Sequence, residues 1–129
     1  MPDDRKFLKF EASGALTTGV KDREVFPVDG EIVASVAAVG TAPTGAALIV
    51  DLQLNGASMY TVAANANKPT VAIGASNSNA AAVNGVVPQP GRPNVTAVKA
   101  GDTLSLNVVQ VGSTVAGSDL DVTVEYLTN

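Results

Sequence analysis

The chain has 129 residues, no cysteine, no histidine, a formal net charge of -4 and only 16% charged residues. Without thiols and imidazoles, Cys nucleophiles, Ser–His triads and the usual zinc sites cannot be assembled, and an acidic balance lacks the basic footprint that phosphate backbones require. What remains is one domain of a size that buries a core without disulfides, expected to be no enzyme and to use no cofactor, metal, nucleic acid or membrane.

The chain begins Met1-Pro2-Asp3-Asp4-Arg5-Lys6, without the apolar core of a secretion signal. No apolar run approaches the about 20 residues that span a bilayer. The absence of Cys suits assembly in a reducing cytoplasm. A soluble protein made in the cytoplasm is therefore expected. Charge is concentrated up to Glu31, and all three Phe residues (Phe7, Phe10 and Phe26) fall in that stretch. Within it, Arg5-Lys6-Phe7-Leu8-Lys9-Phe10 interleaves basic and apolar side chains. Residues 1–13 read as an N-terminal arm or first strand, the strand itself over 7–15, ahead of a sandwich domain over 14–129. Exposed rings there would need cover. Arg5, Lys6, Phe7, Leu8 and Phe10 are accordingly the candidate contacts with a neighbouring subunit or a larger host surface.

From Ile32 onward Ala, Val, Gly, Thr, Ser and Asn dominate, a composition suited to strands joined by tight turns. A strand is expected over 31–39. The clearest alternation is Leu48–Leu54, with Leu48, Val50, Leu52 and Leu54 on one face and Asp51 and Gln53 on the other. It runs into Asn55-Gly56, whose tolerance of positive φ makes it a strong hairpin signal, with a return strand expected over 57–62. Further strands are expected over 70–73, 95–98 and 103–111. In the last of these the apolar phase slips after Val108, which calls for a β-bulge or a strand buried on both faces. Residues 74–93 read as a long loop with Pro88, Pro90 and Pro93, a candidate contact surface or a plain insertion.

Lys99-Ala100-Gly101-Asp102 has turn chemistry, with Asp bonding nearby amides. Gly112-Ser113-Thr114-Val115-Ala116-Gly117 lacks the Lys of a phosphate-binding loop and reads as a link between strands. The final strand is expected over 120–126, where Leu120, Val122, Val124 and Tyr126 alternate with Asp121, Thr123 and Glu125. Asp119 and Asp121 could meet Asp51 in an oxygen-rich calcium site if their strands were neighbours. No Asp-x-Asp-x-Asp-Gly loop occurs, and no metal is assigned. About eight short antiparallel strands make an all-β chain, a single jelly-roll sandwich with an immunoglobulin-like sandwich as the alternative.

Several phrases carry a resemblance: Pro43-Thr44-Gly45, Asp51-Leu52-Gln53-Leu54-Asn55-Gly56, Lys68-Pro69-Thr70-Val71-Ala72-Ile73-Gly74 and Val98-Lys99-Ala100-Gly101-Asp102-Thr103-Leu104. With Val109-Gln110-Val111-Gly112-Ser113 and Gly117-Ser118-Asp119-Leu120-Asp121-Val122-Thr123-Val124, the chain resembles a β-sandwich module of tailed-bacteriophage virion proteins, over roughly residues 14–127. The resemblance implies a jelly-roll-like fold that works in oligomers, either as a head decoration protein or within tail and fibre proteins. It implies no active-site residues. A module standing almost alone is expected to be a capsid decoration protein. Such a protein sits on the virion surface, binds the major capsid protein, stabilises the assembled head shell and forms a homotrimer or other cyclic oligomer. On this reading Arg5, Lys6, Phe7, Leu8 and Phe10 are the capsid or subunit contacts. The alternative is a tail- or fibre-associated module that binds host cell-surface glycan through residues 74–93, a loop without aromatic rings.

Overall fold

The computed structural model describes residues 5–60, 68–71, 73–74, 77–78, 93 and 95–128. These form nine strands and no helix: β1 (Arg5–Ala15), β2 (Gly19–Val25), β3 (Gly30–Ala38), β4 (Leu48–Leu54), β5 (Ala57–Ser58), β6 (Thr70–Val71), β7 (Ala97–Val98), β8 (Thr103–Gln110) and β9 (Ser118–Thr128). One sheet has the order β1-β9-β3-β7, the other β2-β8-β4-β5, with β6 also on β4. All pairings are antiparallel. Each sheet interleaves strands from the two halves of the chain, and the path crosses between sheets at nearly every connection. This is the jelly-roll order, and the protein is an all-β jelly-roll sandwich. The immunoglobulin-like alternative falls away.

Period-2 alternation builds the core between the sheets. Phe10 from β1, Ile32 and Ala37 from β3, and Leu120, Val122, Val124 and Tyr126 from β9 face Leu48, Val50 and Leu52 from β4 and Leu104, Leu106 and Val108 from β8. Phe26, on the β2–β3 connection, meets Tyr126 edge to face with ring centroids 5.1 Å apart. That pair closes one end of the sandwich with the quadrupole-favoured geometry of aromatic rings.

Turn chemistry follows the residue types. Asn55 (φ 51°) and Gly56 (φ 90°) both take left-handed backbone in the two-residue hairpin between β4 and β5. The return strand is shorter than the expected 57–62. One backbone bond continues the hairpin beyond Ser58, Met59 donating its amide to Leu52 at 2.9 Å, but the Met59 carbonyl then turns to accept the Val95 amide at 3.0 Å and the ladder ends there. Residues 61–62 lie outside the described residues. At Lys99–Asp102 the Asp102 carboxylate accepts the Lys99 amide at 2.9 Å. The slip at Val109 is a β-bulge, because Ile49 pairs Gln110 whereas the next residue, Val50, pairs Val108. β2 is not among the strands that alternation predicts. Its side chains are mostly half-buried or exposed and charged, so it carries no apolar stripe.

Candidate interaction surface

The candidate contact residues lie in β1, a strand integral to the sandwich: it pairs along its length with β9, from Arg5 opposite Leu127 to Ala15 opposite Ser118. The boundary expected at residues 13/14 thus falls inside one strand. Alternation splits the candidates. Phe10 is fully buried and Leu8 packs partly buried against the core, so both serve the fold. Phe7 points away from the core and is 65% exposed, and Lys6 is exposed. Phe10 is therefore unavailable as a surface contact. Arg5 occupies the first position of the strand.

On the outer face, Phe7, Lys9 and Glu11 stand opposite Glu125, Thr123 and Asp121 of β9. Leu127, two residues beyond Glu125, is the other exposed apolar side chain of this corner. Glu11 directly opposite Asp121 is a like-charge pair, unfavourable by itself. Lys9 relieves it, with its Nζ 3.4 Å from Glu11 and 3.9 Å from Asp121. Both contacts are exposed, so each is worth little in energy. Their effect is to set the charge pattern of this face.

The edge of β1 has a built polarity. Glu11 donates its amide to Asp22 Oδ2 of β2 at 3.0 Å. In an antiparallel strand, backbone groups of alternate residues point to opposite sides. Phe7 and Lys9 therefore share the outward direction of Glu11, while Lys6, Leu8, Phe10 and Ala12 bond into β9. Asp22 thus caps one outward amide of β1, and its Oδ1 also accepts the Arg23 amide at 2.9 Å. No hydrogen-bond partner stands at the outward amides of Phe7 and Lys9 among the described residues.

The carboxylates weighed as a calcium site are kept apart. Asp51 lies on β4 in one sheet and Asp119 and Asp121 lie on β9 in the other. Asp119 takes positive φ (55°) and accepts the Gly14 amide at 2.8 Å, which braces the β1 irregularity. Among the described residues no group of three or more metal-ligating side chains comes together.

Asp51, on the face of β4 opposite Val50 and Leu52, is 3% exposed. It accepts a 2.7 Å hydrogen bond from Ser58 Oγ. Burial pushes its carboxyl above the usual carboxylate range, opposed by the Ser58 hydrogen bond and the charge of Lys68. Tyr60 and Ser35 share a buried 2.7 Å hydrogen bond, and burial drives the Tyr60 phenol far above its ordinary value. These buried polar groups tie the hairpin to the core.

Most of the 74–93 segment lies outside the described residues, including residues 79–92. Within it Gly74 donates its amide to Pro43 at 2.9 Å, Ser78 donates its amide to Ala37 at 2.8 Å, and Ser78 Oγ accepts the Ala37 amide. Among the described residues, the outer face and free edge of β1 are thus the surface where apolar exposure, charge and open backbone groups coincide. No family model, no curated protein and no solved structure matches the chain.

Proposed function

We propose that the protein is a non-catalytic virion component, a bacteriophage capsid decoration protein that binds and stabilises the assembled head shell as a homotrimer or other cyclic oligomer. The reading starts from the resemblance of the turn and strand phrases over residues 14–127. The jelly-roll order of the two sheets is the observation that supports it best, since that is the fold the resemblance implies. The exposed Phe7 and Leu127 beside Lys9 give it an apolar patch with a polar rim, the composition of a contact surface.

The test is sedimentation of purified protein with expanded empty heads, using the major capsid protein shell alone as bait. Saturable co-sedimentation is expected, with a rise in the temperature at which the shells rupture, because a ligand that binds the intact form stabilises it. Protein that stays in the supernatant at every concentration, with shell rupture unchanged, overturns the reading.

A further inference from the structure

The two sheets end in edge strands that are treated differently. β2 has a bulge between Val20 and Asp22, and its Asp22 and Glu24 take the register positions facing the core-side residues Leu106 and Leu104. A bulge and inward carboxylates are the devices that stop an edge from pairing. From residue 5 to residue 12 β1 has no bulge, its register with β9 being unbroken, and no inward carboxylate; its one charge at a core-side position there is Lys6, opposite Tyr126. Its inward side chains there include Leu8 and Phe10, and its most exposed apolar side chain, Phe7, lies in the stretch whose outward amides have no hydrogen-bond partner among the described residues.

We infer that β1 pairs antiparallel with β1 of a second copy of this chain about a two-fold axis at Leu8, joining the two four-stranded sheets across the free edge. Charge and the held Glu11 amide choose this register together: an axis at Phe10 would set Lys9 against Glu11, but it needs the Glu11 amide that Asp22 already binds. The outward groups belong to odd-numbered residues, so odd must face odd. With the axis at Leu8, Phe7 faces Lys9 of the second copy, and Glu11 stands opposite position 5, an arginine in the sequence. Moving the axis one residue either way sets Lys9 against Lys9 or Lys9 against Arg5, like charges that destabilise a directly opposed pair. Phe7 and Lys9 exchange amide and carbonyl bonds with their counterparts on both sides of the axis. The Lys9 stem covers the Phe7 ring of the other copy while its charge stays with Glu11 and Asp121. The two Phe7 rings become diagonal neighbours, within reach of each other. The pairing is a property of the free chain and does not depend on whether a head shell is its partner.

The chain has no cysteine, so one introduced thiol reports one distance. At the axis, Leu8 faces its own copy as a non-hydrogen-bonded pair with close Cβ atoms, the geometry that admits a disulfide. Under mild oxidation Leu8→Cys is expected to give a covalent dimer of twice the 12.9 kDa chain mass. Lys9→Cys and Phe7→Cys are expected to cross-link at least tenfold more slowly. In native mass spectrometry at about 100 μM, a concentration suited to a small interface, the unmodified chain is expected to show the two-chain species. Phe7→Pro removes an outward amide that β9 does not use, and Phe7→Lys sets a lysine against Lys9. Both are expected to give the one-chain mass with the folded circular dichroism spectrum retained. If Phe7→Pro does not fold, Phe7→Lys decides. Three results overturn the inference: a monomeric unmodified chain, faster cross-linking at position 7 or 9 than at position 8, or an oligomer whose mass survives Phe7→Lys. None of these bears on head sedimentation, which is scored separately.

Discussion

Neighbouring residues of one strand have opposite tasks here. Phe7 and Phe10 look equivalent as apolar residues in a basic stretch, yet alternation leaves the first in solvent and places the second in the core. Their difference was legible once a strand was accepted, because an odd separation of three puts them on opposite faces. Asp51 was not legible. Its alternation places it on the outer face of β4, and only the path of the chain around Ser58 buries it. Because its folded-state carboxyl titrates above the unfolded value, the folded protein holds that proton more tightly. Its contribution therefore falls as pH rises from the ordinary carboxylate value into the raised range. Asp51→Asn keeps an acceptor for Ser58 and removes the buried charge. Chemical denaturation is expected to find the variant more stable than the parent at pH 7, with the gain shrinking toward pH 4. A gain independent of pH would show that the carboxylate is not the cause. Asp102 has the opposite sign: the Lys99 amide and Asn55 hold its carboxyl below the usual range, so what it contributes is present at neutral pH and fades only in acid.

Turns were the most readable elements and the edges the least. Asn55-Gly56, Lys99–Asp102 and the 112–117 link stand where turn chemistry predicts, since positive φ and local Asp hydrogen bonds depend on adjacent residues. β2 escaped because an edge strand with a bulge shows no apolar period. The β8–β9 link holds a further constraint. A Cβ on Gly112 would run into the carbonyl of Val115 and lie 2.8 Å from the carbonyl oxygen of Thr44, whose amide bonds Val115 at 2.9 Å. Gly112→Ala is expected to cost roughly 1–3 kcal/mol or more, the scale of forced overpacking. A Cβ on Gly56 meets nothing within 4 Å, so Gly56→Ala is expected to cost only about 1 kcal/mol from left-handed backbone. Urea denaturation of the two variants checks the order, and equal losses would contradict it.

Across the whole molecule, the first and last strands pair side by side, and β2 pairs with β8. Closing loops of nearly the full chain before these two ladders can form makes folding slow. Refolding followed by the fluorescence of the buried Tyr60 and Tyr126 is expected to relax in about milliseconds to seconds, the range of all-β sandwiches. A microsecond phase carrying the full amplitude would refute that order of events. By itself the sequence determined the class of fold, the turns and the strongest strands, because composition, alternation and Gly, Asn and Pro chemistry act between near neighbours. It also offered the N-terminal basic and apolar stretch as a candidate for contacts. Only the tertiary structure decided which sheet each strand joins, that Phe10 belongs to the core, that Asp51 and Asp119 lie in different sheets, and that β1 is the terminal strand of its sheet among the described residues. Those outcomes depend on which distant strand supplies the next ladder, and residues far apart in the chain leave no local pattern of their meeting.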